Sequence, residues 1–97
     1  MNSPNRLLLT IVCESVLEPF LEKELPRLGV TGYTILDARG LGTHGRRSGA
    51  WSKEGNIRVE ILCDNLLAEK VTQHLCREYE RDYGLLIFSA SVQVHSA

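Results

Sequence analysis

Apolar positions along this chain follow two periods in turn. The run LLLTIVC at residues 7–13 is apolar over the length of a strand. Ser15-Val-Leu-Glu18 then has the spacing of a capping box and predicts the start of a helix. Leu17, Phe20, Leu21, Leu25 and Leu28 follow at helical spacing. Pro19 fits the first turn. Pro26 lacks the amide that an interior turn needs, which predicts that the helix ends or tightens near Leu25, with Gly29 and Gly32 closing it. Residues 33–39, YTILDAR, read as a second strand. Residues 40–56 carry five of the eight glycines and no apolar period, and read as a long loop. In residues 57–63, IRVEILC, Ile57, Val59, Ile61 and Cys63 alternate onto one face of a third strand. Asp64 or Asn65 can cap the next helix, whose stripe is Leu67, Val71, Leu75 and Tyr79. Gly84 ends it, and residues 85–94, LLIFSASVQV, form the last strand.

This order, βαββαβ, predicts a single α+β domain over residues 1–97. It is the ferredoxin-like arrangement, an antiparallel sheet with two helices on one face. Under the helices the pattern places Leu7, Leu9, Ile11, Ile57, Val59, Ile61, Phe88, Val92 and Val94. On the opposite face it places Leu8, Val12, Leu36, Leu62, Leu85 and Ile87, with Thr10, Arg58 and Glu60 among them. Two layers leave that second face wet, and an apolar patch of this size marks a partner surface. The pattern therefore predicts a homo-oligomer with ligand clefts between subunits. A tail or the long loop folded over the face is the alternative.

Composition narrows the function. The chain has 97 residues, 43% of them apolar and 24% charged, and a net charge of −1, so nothing in the balance calls for a polyanionic partner. No stretch reaches the roughly 18 apolar residues of a membrane span, and the N-terminus lacks a signal-peptide pattern. Three widely spaced cysteines, Cys13, Cys63 and Cys76, read as reduced thiols of a cytoplasmic protein. His44, His74 and His95 form no metal signature with them. Ser48 and His44 have no third member to make a catalytic triad, so no enzyme activity is expected. The third strand has no aromatic for stacking bases, which argues against RNA binding.

The chemistry concentrates in GLGTHGRRSG, residues 40–49. Its G-x-G-x-x-G lacks the helix that a dinucleotide site requires. Gly40 and Gly42 permit positive φ, which would turn successive amides into an anion nest. Thr43 adds a hydroxyl, and Arg46 and Arg47 add forked cationic donors suited to phosphate. A solvated hairpin tip would explain the same composition. A loop of this length in so small a domain tends to be functional or disordered.

The element order, the strand GYTILDARGLG at residues 32–42 and the long loop after it resemble the PII signalling family. DARGLGTHGRRS, residues 37–48, resembles the PII-like subgroup linked to bicarbonate uptake and inorganic-carbon metabolism. The resemblance spans about residues 7–94. It implies a cytoplasmic homotrimer that binds adenine nucleotide in its inter-subunit clefts. Residues 40–56 would be the T-loop, which rearranges with ligand and docks on a transporter or an enzyme, so that any membrane is met only through that partner. By the same resemblance Gly40, Leu41, Gly42 and Thr43 sit at the loop base near the nucleotide. Arg47 meets phosphate with Arg46 beside it, and Glu60 and Leu62 lie on the adenine side. Typical PII proteins have a second glycine-rich loop, with a lysine, between the second helix and the last strand. Here DYGLLIF, residues 82–88, passes straight into the strand, and no basic residues follow it. ADP, AMP or cyclic AMP is therefore favoured over ATP, with bicarbonate as a further ligand. Trp51 and Ser52 stand where the modified tyrosine would be, and the cysteine-bearing tail of some carbon-linked relatives is absent. An amino-acid-binding regulatory domain, which would dimerise, is the rival reading.

Overall fold

A computed structural model of the chain describes residues 5–40 and 55–97. Strand β1, Asn5–Glu14, passes through a short 3-10 turn, Ser15–Leu17, into helix α1, Glu18–Leu28. Strands β2, Thr34–Ala38, and β3, Asn56–Cys63, follow. Helix α2, Asn65–Tyr79, and strand β4, Leu85–Gln93, complete the βαββαβ order. The strands lie in the order β2-β3-β1-β4, every neighbouring pair antiparallel.

Local chemistry explains the helix ends. Asp64 caps α2 by accepting the Leu67 amide at 2.9 Å. The Ser15–Glu18 capping box does not form. The Ser15 hydroxyl donates to the Gly55 carbonyl instead, and α1 starts after the 3-10 turn, with Pro19 in its first turn. Pro26 does not end α1 near Leu25. The helix runs on to Leu28 and closes at Gly29, whose φ of 111° suits a residue without Cβ. The Gly29 and Val30 amides bond to the Pro26 and Leu25 carbonyls, so the last turn keeps its partners.

The core lies between the helices and one sheet face. Leu17, Leu21 and Leu25 of the first helical segment meet Ala68, Val71 and Leu75 of α2 above Leu9, Ile11, Cys13, Ile57, Val59, Ile61 and Cys63. Phe20 departs from the predicted stripe. It is half exposed, with its ring 6.4 Å from that of Tyr79.

Strand β4 reverses the predicted faces. Both parities of LLIFSASVQV carry apolar residues, so alternation cannot choose between them. Pairing with β1 does, setting Cys13 opposite Leu85 and Ile11 opposite Ile87. Leu85 and Ile87 therefore pack under the helices, while Phe88 and Val92 join the open face. Val94 lies beyond the end of the strand. With Leu86 also on it, the open face carries Leu36, Leu62, Leu86 and Phe88, each 44–49% exposed.

The helices are also joined by a polar clasp. Glu24 of α1 accepts His74 Nε2–H at 2.7 Å and the Tyr79 hydroxyl, both from α2. Burial alone would raise the Glu24 carboxyl, but the bonds from Tyr79 and His74 outweigh it and hold the group below the usual carboxylate range. Burial, with Glu24 beside it, pushes the Tyr79 phenol up. Ionised Glu24 therefore stabilises the fold above the ordinary carboxyl range, and this contribution fades as pH falls through the lower folded-state value. We expect the gap in urea midpoint between the wild type and Glu24→Gln to shrink from about pH 7 to about pH 3; a gap that widens on acidification would contradict this assignment.

Candidate ligand-binding site at the loop end of the sheet

The long connection leaves β2 after Ala38 and re-enters β3 at Asn56. It therefore opens and closes at one end of the sheet. Four residues line up across that end. Ala38 pairs with Asn56, and Asn56 pairs in register with Glu14. Continuing the β1–β4 register one residue past Cys13 and Leu85 sets Gly84 opposite Glu14.

The row is polar and closely tied. Glu14 is 6% exposed, and its Oε2 accepts the Gly84 amide at 2.9 Å. Gly55, just before β3, has φ of 111°, and its carbonyl accepts both the Ser15 amide and the Ser15 hydroxyl at 3.1 Å. These bonds pin the closing limb of the connection to the β1–α1 corner. Asn56 is 8% exposed, and its Oδ1 has no hydrogen-bond partner. A buried acceptor left unpaired costs about 1–3 kcal/mol, which makes this atom conspicuous.

Three of the site residues expected from sequence fall within the described residues. Gly40 is exposed at the opening limb, and its φ is not positive; among the described residues the positive-φ glycine at this end of the sheet is Gly55. The amide nest expected from Gly40 and Gly42 is therefore not present at Gly40. Glu60 and Leu62 lie on the open face, as alternation requires. Glu60 sits about 13 Å along β3 from Asn56, at roughly 3.3 Å per residue, and its carboxylate accepts Arg58 Nε–H at 3.0 Å. Thr10, its register partner, is fully buried with an unpartnered Oγ1. Leu62 is half exposed near the far end of the strand. Leu41, Gly42, Thr43, Arg46 and Arg47 lie outside the described residues, as do His44, Ser48, Trp51 and Ser52.

Sequence reading missed Glu14, Asn56 and Gly84. Each is a polar residue or a glycine at a strand boundary, where alternation stops being informative. A carboxylate closing an otherwise apolar run was the one available signal.

Other features hold less promise. A groove of about 470 Å³ lies between α2 and β4 on the helix side of the sheet, lined by Leu9, Ala68, Thr72, Ile87 and Ser89 among others. Among the described residues no three His, Cys, Asp or Glu side chains gather as metal ligands. The cysteines are free. Burial pushes the Cys13 thiol up to about 12, with Glu14 and Glu18 adding to it, and also raises Cys63 and Cys76. Such thiols are poor nucleophiles. The open face carries Phe88 but no aromatic from β1 or β3. No helix of the described residues is long and apolar enough to cross a membrane.

Comparison with known proteins bears on this geometry. The sequence profile of the family described as nitrogen regulatory protein P-II matches residues 6–96. A candidate PII-like signaling protein from Thermus thermophilus is 37% identical, superposes with a TM-score of 0.76 and matches over 97% of this chain and 92% of its own. CPII from Thiomonas intermedia, a nitrogen regulatory PII-like protein bound to ADP, AMP and bicarbonate, is 22% identical with a TM-score of 0.76 over 96% of each chain. The GlnK–ATP complex of B. subtilis is 19% identical with a TM-score of 0.60, over 93% and 85% of the two chains. The last two likenesses establish shared fold.

The two glycines flanking the connection should respond differently to a methyl group. Gly55→Ala should cost about 1–3 kcal/mol, because its φ is one that L side chains rarely adopt. Gly40→Ala meets nothing within 4 Å and should stay within about 0.5 kcal/mol of wild type. Chemical denaturation checks both; equal losses would contradict the assigned backbone.

Proposed function

The chain belongs to the nitrogen regulatory protein P-II family, and from that premise we propose that it is a trimeric regulator gated by an adenine nucleotide. The observation that carries this reading is a coincidence of position: the long connection opens and closes at the polar end of a sheet whose open face carries half-exposed apolar side chains among the described residues. Packing three such faces together buries Leu36, Leu62, Leu86 and Phe88 and brings the loop end of one chain beside its neighbour. The cleft between them then takes the nucleotide.

ADP and AMP are the favoured ligands. The PII-like fold of CPII accommodates both, with bicarbonate, and this chain's α2–β4 turn spends its glycine amide on Glu14. Cyclic AMP and bicarbonate are further ligands of this reading. Gly40, Leu41, Gly42 and Thr43 hold the loop base against the nucleotide. Arg47, with Arg46, supplies forked cationic donors to phosphate, and Glu60 and Leu62 flank the adenine. Ligand that contacts one arrangement of residues 40–56 more than another shifts the population toward it. The arrangement selected decides whether a bicarbonate transporter or a carbon-metabolism protein docks. The protein acts in the cytoplasm as a switch, without catalysis. The family match favours this reading over the amino-acid-binding dimer.

Two measurements test this reading. Calorimetry should find ADP or AMP binding at or below millimolar concentration, weakened about tenfold or more in Arg47→Ala, the scale of a lost charged hydrogen bond; absence of any adenine-nucleotide binding would refute it. Light scattering should give a trimer for the wild type and a monomer for Phe88→Glu, which buries an unpaired charge in the interface. A wild-type monomer or dimer would refute the assembly.

A further inference from the structure

The row at the loop end of the sheet has an electrostatic character that the nucleotide reading does not use. Its two buried side chains, Glu14 and Asn56, stand opposite each other in register on adjacent strands. Directly opposed residues of an antiparallel pair hold their Cβ atoms about 5 Å apart. Glu14 presents carboxylate oxygens, and Asn56 a carboxamide with both an acceptor and donors. One carboxylate oxygen of Glu14 is occupied by the Gly84 amide, and the Asn56 Oδ1 has no donor. The α2–β4 turn reaches this row at Gly84, the one glycine between α2 and β4.

A turn that cradles phosphate does so with free amides aimed at the anion. Here the Gly84 amide is turned inward and consumed by a carboxylate in a buried bond. Anything extended along the turn meets a negative charge in partly desolvated surroundings, where Coulomb repulsion is stronger than in water. The carboxylate is fixed, because rotating it away would strand both its own oxygen and the Gly84 N–H.

We propose that Glu14 sets the limit on phosphate number at this site, taking the turn's glycine amide and setting a buried carboxylate at the corner so that an extended phosphate chain is turned away. This rests on the reading of the cleft as an adenine-nucleotide site and assigns its selectivity to one residue. Glu14 acts here through charge as well as through the bond that holds the turn, and the isosteric amide separates the two. Gln at this position keeps an acceptor for the Gly84 amide and removes the negative charge.

The test is calorimetry of the full chain with AMP, ADP and ATP, for the wild type and Glu14→Gln. The wild type should gain no affinity from AMP to ADP to ATP. Glu14→Gln should bind ATP about tenfold more tightly while AMP changes by about threefold or less, since charge acts most on the longer anion. An unchanged ATP-to-AMP ratio in Glu14→Gln, with nucleotide still bound, overturns the role of Glu14 and leaves the nucleotide reading standing. If the variant fails to fold, the wild-type series decides alone, and affinity that climbs with each added phosphate overturns the proposal. No binding of any of the three by either protein overturns both.

Discussion

A four-stranded sheet with both its helices on the same side has one face that, among the described residues, its own chain leaves exposed. Here that asymmetry governs the rest. On the helix side, Leu9, Ile11, Val59 and Ile61 meet Leu21, Leu25, Val71 and Leu75 in a closed core. On the other side, Leu36, Leu62, Leu86 and Phe88 stay about half exposed around the Arg58–Glu60 ion pair. Burying apolar surface is worth roughly 25 cal/mol per Å², and a domain of this size has little core to spare. Copies of the same chain are the natural cover for such a face.

Such a cover would also decide where a ligand can go. The connection between β2 and β3 starts and finishes at one end of the sheet, and the same end gathers Glu14, Ser15, Gly55, Asn56 and Gly84. If the open faces associate, this polar end lies at the boundary between chains. The fold thus separates two tasks. On the proposed reading, the apolar length of the strands would supply association, while the strand termini, where alternation gives way to polar residues and glycine, would supply recognition.

The element order and most of the core were legible in sequence because each relied on a strong period. Ile57, Val59, Ile61 and Cys63 alternate without interruption, and Leu67, Val71 and Leu75 repeat at helical spacing, so little else could compete. Strand β4 failed for the opposite reason. LLIF is apolar on both parities, and its faces were fixed only by long-range pairing with β1. The Ser15 capping box failed because the hydroxyl found a partner distant in sequence, the Gly55 carbonyl. Pro26 was tolerated because α1 is anchored on both sides of it, by Leu25 in the core and by Leu28 and Val30 packed beside it. At the candidate site, the glycine and arginine motif drew attention to the β2–β3 connection, while the buried carboxylate under the α2–β4 turn left only a weak sequence signal. A lone Glu at the end of an apolar strand looks like any strand end until the turn opposite it is placed.

The most direct measurement of the central claim is a crystal structure of the full chain grown with ADP. The account predicts three chains with their open sheet faces turned inward, and ADP between neighbours against the row that runs from Ala38 to Gly84. Open faces left in solvent, or ADP seated in the groove between α2 and β4 and nowhere else, would contradict it.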